Sequence, residues 1–461
     1  MLNKFFLPAV IVLFLLKIVA IKLTTFNLFG DEAQYWLWSK DVDFGYFSKP
    51  PFLAWVIRIY TEIFGSSFVI LKILPSLVYF LTAFGIYNIL KNLGVNNKDS
   101  VTGSFLFLFI PAVSISSFII STDLLLLLFW TLSLNELIKI IQTQRRQNFI
   151  FMGVFLGLAF LSKYAAVYFF ICLLCLFLLD KNFRSIFLNN FLSFGLCFLC
   201  VLLIIAPNII WNIKNDWITF NHTSDNANLE NIEFDLVRGL EFLFIQGLML
   251  GPFLVFGGAF SLLKINKLQK ILLVFSLPII IIVFIEAVIV RANANWAAPA
   301  LVSLFILFYM GIKNYALKIF NFVFNLTFCF IFFVMIAISY PLNVFNRING
   351  LQNYAEKIYN LSSNQFLKNI VISDRLLFSS ISYELREKNI KFFMPHEKNA
   401  DITNHFKMSS ALKSNMKKNF IFIGSPSDIN YLENKYKLIK KISPDQKFTK
   451  RKLGVYEVIF K

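Results

Sequence analysis

Long apolar runs separated by short charged turns fill the first three quarters of the chain. Those that approach the roughly 20 residues needed to span a bilayer fall at 5–23, 66–90, 101–120, 122–141, 149–162, 164–179, 186–209, 236–263, 271–290, 296–312 and 316–340, which is eleven. The two beside Lys163 are short. No small-residue cleavage site follows Phe5–Leu23, so it reads as a retained signal anchor. Alternate turns carry paired positive charge: Lys91 and Lys98; Arg145 and Arg146; Lys181 and Arg184; Lys264, Lys267 and Lys270; Lys313 and Lys318. The outer turn near Ser114–Thr122 carries none and those near Lys163 and Arg291 carry one each, which places the N-terminus in the cytoplasm. Eleven crossings then leave the tail outside it. The reading is a transmembrane domain over 1–342 and a soluble periplasmic domain over 343–461.

Two other outer pieces stand out, the loops 24–65 and 210–235. Within the first, Phe52–Phe64 is apolar but interrupted by Arg58 and Glu62. It is too short to span, and predicts a helix in the interface with Trp55 and Tyr60 at headgroup level. In the tail the pattern changes to strand-like runs (Asn369–Ile372, Phe420–Ile423, Leu453–Phe460) between helical ones (Arg375–Lys388, Asp428–Asn434). This predicts a small α/β domain.

Composition agrees with a polytopic helical membrane protein. Of 461 residues 57% are hydrophobic and 15% charged, against roughly a quarter charged in a soluble domain. Mean hydropathy is +0.68. The 57 Phe residues, with abundant Ile, Asn and Lys, fit an AT-rich genome. The tail from Phe345 carries 21 Lys/Arg and 10 Asp/Glu, a basic surface able to attract anionic headgroups. Cys172, Cys175, Cys197 and Cys200 form two C-x-x-C pairs inside apolar runs, where zinc thiolates would lack polar support; with Cys329 they read as packing residues. No G-x-x-x-x-G-K-[ST] and no helix-opening G-x-G-x-x-G occurs. Sugar or phosphate chemistry here needs a donor presented by the membrane, and nucleic acid is not a partner.

Polar residues gather at the outer ends of the predicted spans. Asp31, Glu32 and Lys49 come from the first loop, Asp123 from the start of the fourth span, and Lys163 from the break after the fifth. His222 and Asp225 lie in the second loop; Arg291 and Asn295 follow the ninth span. Charges at membrane depth are costly and face a cavity or a partner. Cations from three distant segments, set beside carboxylates, suit a phosphate that must be held and then stabilised as it leaves. Taken singly, Asp31 and Asp123 could cap helices, and Lys163 and Arg291 could be snorkelling anchors.

The blocks Asp31-Glu32-Ala33 with Lys49-Pro50-Pro51, Ser121-Thr122-Asp123, Gly157 to Tyr164, His222 to Leu229 and Arg291 to Pro299 resemble, in order, the GT-C membrane glycosyltransferases. The resemblance is to the bacterial relatives of the aminoarabinose–lipid A transferase and of protein O-mannosyltransferases. It implies a polyprenyl (undecaprenyl) phosphate sugar donor and an acceptor that is lipid A or another envelope glycolipid. It also implies catalysis on the outer face of the cytoplasmic membrane, in contact with membrane lipids. By this analogy Asp31 is the catalytic carboxylate, with Glu32 and Asp123 in the same group, and Lys49, Lys163 and Arg291 hold the donor phosphate. His222, Asp225 and Asn295 serve the acceptor or its loop. In the relatives a Glu precedes Lys-Pro-Pro and helps bind a metal. Ser48 stands there in this chain, which argues against a divalent metal and leaves His222 as the one candidate ligand; no cofactor is implied. A protein acceptor is an alternative. A transporter of lipid-linked sugar is another, but it would need an inverted repeat and binding groups reachable from both sides.

Overall fold

The computed structural model describes residues 2–227, 232–259, 262, 265–340, 342–364, 367–397, 400–412, 418–442 and 448–461. The chain divides into two compact units. One comprises Met1–Val19, Lys49–Leu53 and Val69–Val334; the other comprises Ala20–Ser48, Ala54–Phe68 and Met335–Lys461.

Among its described residues the first unit is built of helices and the turns between them. Among the described residues six helices are long and apolar enough to cross a membrane, and eight if each of two sharply bent pairs counts as one span. Thr122–Thr143 is the central one, with 78% of its apolar window buried, against 22% for Phe191–Lys214. Its Trp130 is wholly buried, edge-on to Phe169 and Phe275. Arg146–Ser162 carries Gly153 and Gly157, and this small-residue spacing admits Phe191–Lys214 at close range. A Cβ on Gly153 would stand 2.4 Å from the Cys197 carbonyl oxygen, and one on Gly157 2.8 Å from Ile204 Cβ. Cys197 and Cys200 are therefore contact residues of a helix pair, and all five cysteines are free.

Several predicted runs are broken, each at an identifiable residue. The run 101–120 divides into Asn97–Phe107 and Pro111–Ser116, because Pro111 cannot continue the preceding helix. The run 236–263 bends by 98° between Leu236–Leu250 and Pro252–Ala259, at Gly251 with φ +98 followed by proline. Lys181–Asn189 turns 109° away from Tyr164–Leu179 and is capped by Asp180, which accepts from Phe183 N at 2.8 Å. Residues 218–227, expected as loop, form the helix Ile218–Ala227 after a turn in which Asp216 and Trp217 both take positive φ. Asn228 and Leu229 lie outside the described residues.

The second unit contains a five-stranded sheet: β1 (Asn369–Ile372), β2 (Lys391–Phe393), β3 (Phe420–Gly424), β4 (Tyr436–Ile442) and β5 (Gly454–Phe460), in the order β2-β1-β3-β5-β4. β1 runs parallel to β2 and β3, whereas β5 is antiparallel to β3 and β4. β1 and β3, apolar apart from Asn369, are buried along their length and form the centre. Helices Leu351–Asn364 and Arg375–Glu384 cover one face through Tyr354, Ile358, Leu377, Phe378 and Ile381. The helix Gly30–Trp38 belongs to the same unit. Gly30 lets its first turn meet Arg375–Glu384, since a Cβ there would lie 2.6 Å from Leu376 Cβ.

Candidate active site

In the first unit the backbone leaves helical geometry at Lys163 (φ −161, ψ 134) and resumes at Tyr164–Ala166. The break projects the Lys163 ammonium onto Asp123, where Nζ donates to Oδ1 at 2.6 Å. Asp123 lies in the first turn of Thr122–Thr143, yet its carboxylate does not cap that helix. Its second oxygen accepts from Asn295 Nδ2 at 2.8 Å. Asn295 sits in the 3-10 turn Ala294–Ala297, which Gln246 steadies by donating from Nε2 to the Ala294 carbonyl at 3.0 Å. Three sequence-distant segments thus meet at one carboxylate, and the Lys and Asp side chains are only 16% and 11% exposed. Beside them Tyr164 stacks on Phe220 (4.7 Å) and donates to Asn208 Oδ1 at 2.8 Å.

The other candidate residues of this unit lie on other segments. Lys49 is half-buried in the short segment it contributes. Arg291 is exposed and has no partner among the described residues. His222 and Asp225 lie on the helix Ile218–Ala227, not in a loop. Among the described residues no three His, Cys, Asp or Glu side chains converge as a metal ion requires.

In the second unit the two adjacent carboxylates part company. Glu32 is buried and its Oε2 accepts from Phe29 N at 2.8 Å, closing the start of Gly30–Trp38. That bond gives Glu32 a part in the fold. Asp31, one residue earlier, makes no such bond. Its Oδ1 accepts from Arg375 Nη1 at 3.0 Å, and the side chain stays 43% exposed. Arg375 also donates to Gln34 Oε1. Asn27 fixes the approach to this helix: its Nδ2 donates to Glu384 Oε1 (3.1 Å) and its Oδ1 accepts from Leu351 N (2.9 Å). Arg375 and Gln34 escape sequence reasoning because 344 positions separate Arg375 from Asp31 and no motif marks it.

Residues 48–211 match the family described as dolichyl-phosphate-mannose-protein mannosyltransferase. Over 293 residues the chain is 31% identical to the lipid A galacturonosyltransferase RgtD of Rhizobium johnstonii, a match covering 62% of this chain and 61% of that protein. Two crystal structures of ArnT from Cupriavidus metallidurans, apo and bound to undecaprenyl phosphate, superpose with TM-scores of 0.68 and 0.70 at 13% identity. Each superposition covers 99% of this chain and 98% of that one. Over residues 48–211 the chain is similar to that family, it spans about three fifths of RgtD, and along its whole length it shares the fold of the ArnT structures.

Proposed function

We propose that this protein moves a sugar from a polyprenyl phosphate donor to lipid A, or to a closely related envelope glycolipid, on the outer face of the bacterial cytoplasmic membrane. One observation carries the reading: Asp31 is a solvent-reaching carboxylate that the fold does not use as a helix cap, because Glu32 beside it does that work. The relatives supply the substrate class. RgtD is by name a lipid A transferase, and ArnT binds undecaprenyl phosphate.

In the proposed reaction an acceptor hydroxyl attacks the anomeric carbon of the donor sugar, and the bond from that carbon to the phosphate oxygen breaks. Asp31 takes the hydroxyl proton as general base. Where the acceptor is an already ionised phosphate, Asp31 orients it. Lys49 and Arg291 neutralise the departing polyprenyl phosphate, with Lys163, held by the Asp123 carboxylate that Asn295 also bonds, as a third, fixed cation. A polyprenyl phosphate is a stable leaving group and the acceptor oxygen is itself the nucleophile, so no metal is required.

The proposed topology has eleven crossings, with the tail, Asp31 and Lys163 on the periplasmic side. It is supported by helix over most of the described length of each predicted segment and by paired Lys/Arg in every proposed inside turn. Under this topology the basic tail faces the outer leaflet. A protein acceptor is the second reading, favoured by the family description over 48–211. Mass spectrometry of lipid A, other extracted glycolipids and envelope proteins from cells with and without this protein separates the two. A sugar lost from lipid A or another extracted glycolipid supports the first reading, one lost only from proteins supports the second, and no change in lipid A, the other glycolipids or the proteins refutes both.

A further inference from the structure

Arg375 opens the helix Arg375–Glu384 directly after β1, and Asp374 caps that helix by accepting from Leu377 N at 2.8 Å. The close approach at Gly30 brings this helix start against the start of Gly30–Trp38. The guanidinium then meets two groups one turn apart on the same helix. Nη1 lies 3.0 Å from Asp31 Oδ1 and also donates to Gln34 Oε1, which is buried. Gln34 fixes the guanidinium, and the guanidinium fixes one oxygen of Asp31. The other carboxylate oxygen has no partner among the described residues.

We infer that Arg375 is a positioning residue for Asp31, so that the C-terminal tail completes the machinery of transfer instead of merely accompanying it. The inference rests on the reading of Asp31 as the acceptor's base. A contribution to folding is a poor explanation of the pair. Both side chains are more than a third exposed, and ion pairs so exposed add little to stability because water screens them and two long side chains must be ordered. What the contact does supply is a single carboxylate orientation, with Oδ1 tethered and Oδ2 presented. Small displacements of a reacting group can cost about 100-fold in rate, so the effect belongs in turnover.

The test uses the full-length protein in lipid nanodiscs, a defined polyprenyl-phosphate sugar and purified lipid A, with kcat and KM measured separately for Arg375→Gln, Arg375→Lys and Asp31→Asn. We expect Arg375→Gln to lower kcat by about 10- to 100-fold with KM nearly unchanged, the pattern of an interaction that matters in the transition state. Arg375→Lys, which keeps one charged donor but cannot bridge to Gln34, should recover part of the loss. The thermal unfolding midpoint should match wild type in both. Unchanged kcat in Arg375→Gln overturns the inference. So does a rise in KM alone, which would make Arg375 a direct substrate ligand, and so does a loss of activity matched by a fall in the unfolding midpoint. Near-normal turnover in Asp31→Asn would instead overturn the underlying assignment of Asp31, whatever Arg375 does.

Discussion

Removing the Asp123 carboxylate should unmask how strongly the first unit depends on its buried charge. In Asp123→Ala, Lys163 keeps an ammonium that is 16% exposed and loses its only salt-bridge partner among the described residues. Asn295 loses the acceptor 2.8 Å from its amide. Stripping one partner from a buried pair costs about 3–5 kcal/mol, and the orphaned amide adds about 1 kcal/mol. Because some water reaches Lys163, we expect the lower part of that sum, about 4 kcal/mol, for the single variant. Lys163→Ala should cost less, since Asp123 retains Asn295. The double variant leaves no orphan charge, so it should fall short of the sum of the singles by about 2 kcal/mol. Unfolding by SDS in mixed micelles, followed by tryptophan fluorescence, measures each term. Additivity within about 0.5 kcal/mol would refute the reasoning and reduce the contact to an incidental one.

Further predictions test other parts. His405, in the tail, is edge-on to Trp38 and Tyr46, and its Nδ1 is buried without a partner among the described residues. Burial lowers its pKa to about 4. The unfolded chain takes up the proton near 6.5, so the second unit should lose stability as pH falls from about 6.5 towards 4, by at most about 1.4 kcal/mol per pH unit. The Trp38 environment in a denaturant titration reads this out, and His405→Phe should flatten the slope; an equal slope in that variant rejects the assignment. For topology, single cysteines at Ser224 and Ser427, both exposed, on a background lacking the native cysteines should react with an impermeant maleimide in intact spheroplasts. Ser427 is the better site in its turn because Ser425 caps it. Labelling only after lysis would invert the chain and dismantle the proposed outer site.

The parts of this protein that are legible in sequence are those that follow from local pattern. Phe52–Phe64 is a helix with the bounds its amphipathic pattern predicts, and the apolar runs Asn369–Ile372 and Phe420–Ile423 are central strands. Lys163 marks a helix break because a lone cation inside an apolar run has to leave it to find Asp123. β2 and β4 go unseen for opposite reasons: Lys391–Phe393 is three residues long, and Tyr436–Ile442 is an edge strand carrying three lysines, as such edges do to resist pairing. His222 lies in a polar stretch that reads as loop, yet the stretch is helical. The division of labour between Asp31 and Glu32 is likewise invisible, because adjacent carboxylates look alike until one is seen to bond the backbone. Arg375 is the clearest case. Only the folding of the tail brings it to Asp31.

The central claim is chemical, and reconstituted transfer tests it most directly. Purified wild-type protein in nanodiscs, given polyprenyl-phosphate sugar and lipid A, should release polyprenyl phosphate in step with glycosylated lipid A. Asp31→Asn, folded and inserted like wild type, should do so about 10²- to 10⁴-fold more slowly, the range a lost general base commands. Turnover in that variant close to wild type, or donor consumed with no sugar reaching the lipid, would contradict the account.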